Sequence, residues 1–292
     1  MADSNPLFYS GCPMWANRDW VGRFFRSDCK PRDYLRQYAS VFNSVEGNTT
    51  FYALPKADTV LQWRDAVPAH FRFCFKFPRI VSHDLQLLET DAECDAFFTR
   101  LLPLGRKLGP FFLQLPPSFC DGERLFTFLS RLPRDFEYAV EVRHPQWFQP
   151  DWERALDQML IGQGVSRVFF DTHRLMALRD VDAAIATAQR KKPTVPRRTH
   201  PVGSTPILRF VGDPHIENDD AVVADWAAHV AAWIRQGRRP FVFLHQAPDD
   251  ERAPELGRRF HQILRKQLAA VAPEPEWPVE SEPPQEEQLS LF

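Results

Sequence analysis

Short apolar runs recur along the chain, and a stretch with helical spacing follows most of them. Several runs are apolar almost throughout, as in Phe-Arg-Phe-Cys-Phe-Lys-Phe, which is typical of parallel strands buried on both faces. The pattern predicts eight strands, at Leu7–Cys12, Ser44–Asn48, Arg72–Phe77, Phe111–Leu115, Tyr138–Val142, Arg167–Asp171, Ile207–Val211 and Phe241–His245.

The segments between these runs carry apolar residues at helical spacing. In the segment from Asp219 to Arg235, an apolar stripe that includes Trp226 and Trp233 should pack on the sheet. The predicted helices are Asp33–Ser40, Ala57–Ala66, Asp91–Leu104, Gly122–Arg131, Trp152–Ile161, Val181–Arg190, Asp219–Arg235 and Pro254–Leu268.

The alternation of these elements predicts the fold class. Eight strand–helix units in about 265 residues match the number and length of a (β/α)8 TIM barrel, so we predict an α/β protein with one such barrel. A doubly wound open sheet is the alternative. Folds of that kind usually carry a glycine-rich first turn, whereas here Gly11-Cys12-Pro13 leads into Trp15.

Composition divides the chain into a body at residues 1–271 and a tail at residues 272–292. The 44% hydrophobic content and 25 phenylalanines supply the core of one large domain. The tail contains five prolines, six glutamates and no lysine or arginine, so we predict that it is disordered. Because the whole chain carries −2 and the tail carries −6, the body is only mildly basic, unlike a dedicated nucleic-acid-binding domain.

Cysteine usage and the N-terminus bear on the cellular compartment. The five cysteines are widely spaced and form no CxxC motif, which predicts neither a zinc site nor a disulfide framework. The N-terminal residues lack the basic and apolar regions of a signal peptide, and no apolar stretch is long enough to span a bilayer. We therefore expect a cytoplasmic protein without membrane contact.

Polar and charged side chains cluster where the predicted strands end. In a barrel, the carboxyl ends of the strands form the functional face, and isolated buried charges are unfavourable, so these residues should converge in one polar pocket. We predict that the catalytic residues are Glu46, Lys76, Glu141, Asp171 and His245. We predict that the substrate-binding residues are Asn48, His83, Gln114, Arg143, His144, Arg209, Trp15 and Tyr52.

The chemistry of these residues points to an anionic substrate. Lysine and arginine suit phosphate or carboxylate, and Lys76 is also a candidate Schiff-base amine. Glu46 and Glu141 are acid/base candidates if their pKa values are pushed apart, and the histidines are candidates for proton transfer. Trp15 and Tyr52 are candidates for stacking on a sugar or base. The alternative is a buried ion-pair network without chemistry, in which Glu46 pairs with Lys76 and Glu141 pairs with an arginine.

Two further features leave alternatives open. A divalent metal on Glu46, Glu141, Asp171 and the histidines is one alternative, but no HxH or HxxxH spacing supports it, so we predict no metal ligands and leave the cofactor undetermined. The basic run Arg190–His200 is either a solvated loop or a contact for a nucleic-acid phosphate backbone.

Several motifs in the body are specific enough to suggest a family. They are Gly11-Cys-Pro-Met-Trp15, Val45-Glu-Gly-Asn-Thr-Thr-Phe-Tyr52, Phe73-Cys-Phe-Lys-Phe-Pro78, Gln114-Leu-Pro-Pro117 and Val140-Glu-Val-Arg-His-Pro-Gln-Trp147. With these motifs, residues 7–268 resemble the YecE-like family, the domain of unknown function 72. The resemblance implies a TIM-barrel fold, and it implies no reaction because the family has no firmly established activity.

Two positions depart from the family pattern. The usual Arg-x-His-Gly after the seventh strand reads Arg209-Phe-Val-Gly212, so the histidine is lost. The usual Asn-rich end of the eighth strand reads Phe243-Leu-His245-Gln-Ala-Pro248, in which His245 is a candidate replacement for the lost donor.

The end of the sequence carries a motif of its own, Gln288, Leu289, Ser290, Leu291 and Phe292. All five positions resemble the bacterial sliding-clamp-binding motif Gln-Leu-Ser/Asp-Leu-Phe. The resemblance implies that Gln288 enters a small polar pocket of the clamp and that the three apolar side chains fill a cleft. The alternative is a frayed terminus whose apolar tip folds back on the body.

Two functions from different classes follow. One is an enzyme, most simply a hydrolase, lyase or isomerase, that acts on a phosphorylated or other anionic substrate such as a nucleotide or damaged DNA and is recruited by the sliding clamp. The other is a non-enzymatic clamp-binding accessory with the barrel as a scaffold. An open cavity of ligand size would favour the enzyme, whereas a cavity filled by aromatic rings with every charge paired would favour the scaffold.

Overall fold

Eight parallel strands form the centre of the molecule in the computed structural model, which describes residues 6–179 and 181–282. The strands are β1 (Tyr9–Gly11), β2 (Ser44–Gly47), β3 (Arg72–Phe75), β4 (Phe111–Gln114), β5 (Tyr138–Glu141), β6 (Ser166–Asp171), β7 (Ile207–Gly212) and β8 (Phe241–Gln246). Six of them form one sheet in the order β1-β8-β7-β6-β5-β4, and β2 pairs with β3 in a second sheet.

Helices follow most strands and cover the sheets from outside. They are α1 (Tyr34–Tyr38), α2 (Thr49–Tyr52), α3 (Ala57–Ala66), α4 (Asp91–Leu101), α5 (Gly122–Arg131), α6 (Pro150–Gln163), α7 (His173–Ala177), α8 (Ala183–Lys191), α9 (Asp220–Arg235) and α10 (Ala253–Gln267), with a π-helix at Ile80–Asp84. Within the described ranges, none of the helices combines the length and the apolar composition that a bilayer crossing requires.

The prediction of a closed (β/α)8 barrel is wrong, because the backbone ladder is interrupted between β1 and β2. One backbone hydrogen bond remains there, from Glu46 N to Cys12 O at 3.1 Å, and side chains make the other links. The hydroxyl of Tyr38 accepts a hydrogen bond from Cys12 N at 2.7 Å and donates one to Ser44 O at 2.9 Å. Asn43 accepts from Ser10 N at 2.7 Å and donates to Phe8 O at 3.0 Å. The six-stranded sheet is therefore an open half-barrel.

The ladder is also interrupted between β3 and β4. These strands are linked by isolated bridges, at Phe73–Leu108 and Lys76–Phe112, and not by a continuous ladder. The amide of Phe77 donates to Phe112 O at 3.0 Å, so the two strands still lie side by side near their carboxyl ends. The two-stranded sheet thus lies between the edges of the half-barrel without completing a hydrogen-bonded ring.

The outer core confirms the predicted packing of the helix before β8. In α9, Trp226 and Trp233 are buried in one apolar cluster with Leu208 of β7 and Val242 of β8. A separate apolar cluster lies among the strands themselves. It is formed by Tyr9, Cys74, Phe112, Ala139, Val168, Ile207, Phe241 and Phe243.

The prediction of a disordered tail from residue 272 is wrong for residues 272–282, which pack on the body. Trp277 is buried, and its ring lies 5.0 Å from the ring of Phe24 and 3.7 Å from the guanidinium of Arg258. Arg258 also pairs with Glu280 at 2.6 Å. Glu282 accepts hydrogen bonds from Ser27 N and Oγ at 2.6 and 2.7 Å. The predicted clamp-binding peptide, 288–292, lies outside the described residues.

Candidate functional site

The alternation of side chains along each strand brings the predicted polar residues together. Residues two apart on a strand face the same side. In five strands, a residue of the apolar cluster among the strands is followed, one pleat later, by a polar residue on the same side; in β1 and β6 that position is Gly11 and Phe170. The pairs are Cys74 and Lys76, Phe112 and Gln114, Ala139 and Glu141, Ile207 and Arg209, and Phe243 and His245; on β2, Ser44 precedes Glu46 in the same way.

The guanidinium of Arg209 is the centre of this polar layer. Its Nε and one terminal nitrogen donate to the two carboxylate oxygens of Glu46 at 2.8 and 2.7 Å, and its other terminal nitrogen donates to Glu141 at 2.6 Å. The rings of Phe112 and Phe170 lie 5.4 and 4.5 Å from the guanidinium carbon. Arg209 is buried and therefore joins β7 to β2 and β5 through charge-assisted bonds inside the protein.

Further hydrogen bonds occupy the remaining lone pairs of the two carboxylates. Glu46 accepts from Asn48 Nδ2 at 2.7 Å and contacts His245 Nε2 at 2.9 Å. Glu141 accepts from Arg143 Nε at 2.5 Å, and another nitrogen of Arg143 donates to Gln114 at 2.7 Å. Both carboxylates are thus held by two or more partners.

These contacts set the protonation of the two predicted acid/base residues. Burial alone would raise the pKa of Glu46, but Arg209 and His245 lower it well below its ordinary value. Burial opposes Arg143 and Arg209 at Glu141 in the same way, and the pKa of Glu141 is also lowered. The two pKa values are not pushed apart, so both groups are carboxylates at neutral pH and neither is a general acid.

Lys76 is the one basic group of the polar layer without an acidic partner among the described residues. Its side chain is 7% exposed, and Nζ lies 4.1 Å from the centre of the Phe51 ring and 5.9 Å from that of Phe112. Burial and the neighbouring Arg209 together lower the pKa of Lys76 to about 7, against the opposite effect of Glu141. The predicted Glu46–Lys76 pair does not form, since Arg209 takes Glu46 instead.

A cavity of about 600 Å³ opens above the polar layer, and we refer to it as the strand-end cavity. Most of the predicted site residues line it: Trp15, Glu46, Asn48, Tyr52, Lys76, His83, Gln114, Arg143, Arg209 and His245. Glu141 does not line it and lies behind the two arginines. Tyr52 is 82% exposed at the cavity mouth, whereas His83 is half-buried. Burial, and to a smaller extent the positive charge of Lys76, lowers the pKa of His83 to about 4.

Two predicted site residues lie elsewhere. Asp171 follows Phe170 on β6, and because Phe170 faces the cavity, Asp171 points to the opposite side of the sheet. There it accepts a hydrogen bond from Trp226 Nε1 at 2.7 Å and pairs with Arg197 at 3.2 Å. His144 caps the short 3₁₀ helix Pro145–Phe148 by accepting from Gln146 N at 3.2 Å, and it does not line the cavity.

Several residues that line the cavity were not predicted from the sequence. Lys191 and Lys192 come from the end of α8, and Asp250 comes from the loop after β8. The two lysines belong to the basic run that was interpreted as either a solvated loop or a nucleic-acid contact. Other members of that run are used structurally, because Arg198 pairs with Glu153 at 2.7 Å. Some residues of the basic run therefore line the cavity, and others form ion pairs with the body of the protein.

The described residues contain no group of three or more His, Cys, Asp or Glu side chains that converges in the manner of a metal centre. Glu46 and His245 are neighbours, but Arg209 and Asn48 occupy the oxygens of Glu46. What the arrangement can do is bind an anion: six basic and two acidic residues line the cavity.

The fold and the cavity thus define an α/β protein with a cationic site at the carboxyl ends of its strands. The chain belongs to the family described as protein of unknown function DUF72, whose model matches residues 9–281. This match confirms the resemblance to the YecE-like family, and it includes most of the segment that packs through Trp277.

Individual relatives agree with this assignment. The UPF0759 protein YecE of Escherichia coli strain K12 is 40% identical over 278 residues, which cover 94% of this chain and 99% of that protein. The UPF0759 protein YunF of Bacillus subtilis strain 168 is 27% identical over 163 residues, covering 52% of this chain and 57% of YunF.

Solved structures of the family have the same fold. A DUF72 family protein from Thermotoga maritima MSB8 superimposes with a TM-score of 0.68 at 22% identity, covering 88% of this chain and 99% of that one. Another, from Enterococcus faecalis V583, gives a TM-score of 0.65 at 19% identity, covering 92% and 99%.

Replacing Glu46 with glutamine should destabilise the protein by about 3 kcal/mol at pH 7, because the buried Arg209 loses one of its two counter-charges. The lowered pKa of Glu46 stabilises the fold above its unfolded pKa of about 4.3, and this contribution is lost as the pH falls. The difference between wild type and Glu46→Gln should therefore shrink at low pH. Urea unfolding at several pH values measures it.

Glu217→Gln is the matched control, because Glu217 forms an exposed pair with Arg252 at 2.9 Å. It should leave the unfolding midpoint unchanged. Equal effects of the two substitutions would contradict the role assigned to the Glu46–Arg209 pair.

Proposed function

We propose that the protein is an enzyme that acts on a phosphorylated or otherwise anionic substrate bound in the strand-end cavity. The observation that carries this proposal is the position of Lys76, which lines the cavity and has no acidic partner among the described residues. A buried cation without a counter-ion is unfavourable, so an anion supplied by a substrate would stabilise it.

The charge around the cavity supports the same substrate class. The two acidic residues in its wall are already engaged, since Glu46 is bonded to Arg209 and Asp250 accepts from Gln246 N at 2.8 Å. The basic residues near the opening, among them Lys191 and Lys192, leave an excess of positive charge. A recessed surface of one sign attracts and concentrates ligands of the opposite sign.

The size and openness of the cavity support an enzyme over a scaffold. Its volume of about 600 Å³ is that of a small-molecule site, and aromatic rings such as Trp15 and Phe51 line the cavity without filling it. Because both carboxylates are strongly held, the group best suited to proton transfer near neutral pH is Lys76, whose pKa is about 7.

Inorganic phosphate should bind to the purified protein at low ionic strength, and Lys76→Met should weaken this binding ten-fold or more, since a bond between charged groups contributes roughly 1.5–3 kcal/mol. Titration calorimetry measures the affinities. The control is Lys266→Met, which removes an exposed charge at the end of α10, away from the cavity. An unchanged affinity in Lys76→Met, or no phosphate binding by the wild type, would contradict the proposed site.

The second part of the proposal is recruitment by the bacterial sliding clamp through residues 288–292, which would also place the protein in the cytoplasm. The support is the match of all five residues to the motif. The packing of Trp277 and Glu282 on the body leaves residues 283–287 as the connection, which can span at most about 18 Å. The clamp would therefore dock beside the face formed by Phe24 and α10.

The full-length protein should bind a purified bacterial sliding clamp with micromolar affinity, because a five-residue contact buries little area. Replacing both Leu291 and Phe292 with alanine should reduce the affinity ten-fold or more, as each apolar anchor contributes roughly 1–3 kcal/mol. Fluorescence titration measures both affinities.

Ser290→Ala serves as the matched control, because the motif accepts more than one residue at that position. Equal binding by the full-length protein and by a version lacking residues 288–292 would reject recruitment by this peptide. It would leave the proposal for the cavity intact.

A further inference from the structure

The amine of Lys76 differs from the other lysines of the chain in its surroundings. Nζ lies over the Phe51 ring at 4.1 Å, and the Phe112 ring is 5.9 Å away. Among the described residues, no carboxylate lies within ion-pairing distance of Nζ, and no hydrogen bond holds it. The amine is therefore available to bind or react with a group that enters the cavity.

The reason that Lys76 stays unpaired is the competition for the two buried carboxylates. Arg209 binds both oxygens of Glu46 and one oxygen of Glu141, and Arg143 binds the other oxygen of Glu141. Planar guanidinium groups outcompete a flexible ammonium for such two-point contacts. The polar layer is thus arranged so that its lysine, and not its arginines, is available.

The same arrangement keeps a share of Lys76 in the neutral amine form. Burial and the positive charge of Arg209 lower its pKa to about 7, whereas a solvated lysine has a pKa of about 10.4. A neutral amine is a nucleophile, and lysines activated by an apolar pocket and a neighbouring cation are the ones that form Schiff bases.

We propose that Lys76 is the nucleophile of the cavity and forms an imine with a phosphorylated aldehyde or ketone. The neutral Nζ attacks the carbonyl carbon, and a nitrogen–carbon bond forms. The carbon–oxygen bond then breaks and the oxygen leaves as water with the two protons of the amine, so no oxidant or reductant is consumed. In this substrate the carbonyl group would lie at Lys76, where free inorganic phosphate binds, and the phosphate would lie on other basic residues of the cavity, such as Lys191 and Lys192. This inference rests on the proposed anionic substrate and narrows it to a carbonyl compound.

Reduction of the imine tests the proposal directly. Sodium cyanoborohydride converts an imine into a stable secondary amine, which mass spectrometry of the digested protein can locate among the seven lysines of the chain. We expect glyceraldehyde 3-phosphate to modify Lys76 at least ten-fold faster than the exposed Lys30 and Lys266. Glyceraldehyde, which lacks the phosphate, should react more slowly at Lys76, and inorganic phosphate should compete.

Lys76→Arg is the matched variant, since it keeps the positive charge and lacks a nucleophilic amine at neutral pH. Its affinity for inorganic phosphate should lie within about three-fold of that of the wild type. It should give no rapid labelling. If this variant does not fold, the location of the adduct on the wild-type protein still decides the question.

Two substrates that both carry an aldehyde near a phosphate are compared in parallel reactions. One is the free sugar phosphate, and the other is a DNA duplex with an abasic site, whose open form is also an aldehyde flanked by phosphates, with an intact duplex as its control. Trapping by either one at Lys76 supports the inference and identifies the source.

Labelling that is spread evenly over the lysines, with phosphate still bound in the cavity, would overturn the imine and leave the anion site standing. Even labelling without phosphate binding would overturn both.

Discussion

The salt bridges of Arg209 are the interaction on which the rest of the structure depends. They run from β7 to Glu46 in the two-stranded sheet and to Glu141 in the six-stranded sheet, so they join two sheets that the backbone ladder leaves separate. They also consume both buried carboxylates. A buried ion pair contributes little net stability unless its geometry is good, and here every carboxylate oxygen has a partner. The consequence for function is an unpaired lysine beside an open cavity.

Much of the fold could be predicted because strands with continuous apolar runs are easy to recognise. All eight predicted runs overlap observed strands, for example Arg72–Phe77 with β3 and Phe241–His245 with β8. The interruption of the sheet between β1 and β2 could not be predicted. It depends on the side chains of Tyr38 and Asn43, which satisfy backbone groups of β1 in place of a neighbouring strand. The packing of residues 272–282 on the body was also not predicted. Their proline–glutamate composition indicates disorder, although the apolar residue Trp277 packs against Phe24.

The candidate site was predicted in part, and side-chain alternation explains which part. Polar residues one pleat beyond an apolar inward residue, such as Lys76 and Arg209, reach the cavity, whereas Asp171 has the opposite parity and supports Trp226. The sequence alone does not exclude Asp171, because apolar Phe169 precedes it by two residues just as Ile207 precedes Arg209; only the structure shows that Val168 and Phe170 are the inward positions of β6. Tertiary packing decides that Glu46 pairs with Arg209 and that Lys192 reaches the cavity. The local sequence pattern predicts neither.

Lys76 is buried and has no acidic partner among the described residues, and at physiological pH part of its amine is uncharged. The most direct test is nuclear magnetic resonance of protein labelled with ¹³C at the lysine Cε atoms, titrated from acid to alkaline pH. The chain has seven lysines, and the signal assigned to Lys76 by its loss in Lys76→Arg should titrate with a midpoint of about 7. Titration of all seven signals near the ordinary lysine value of about 10.4 would contradict the account.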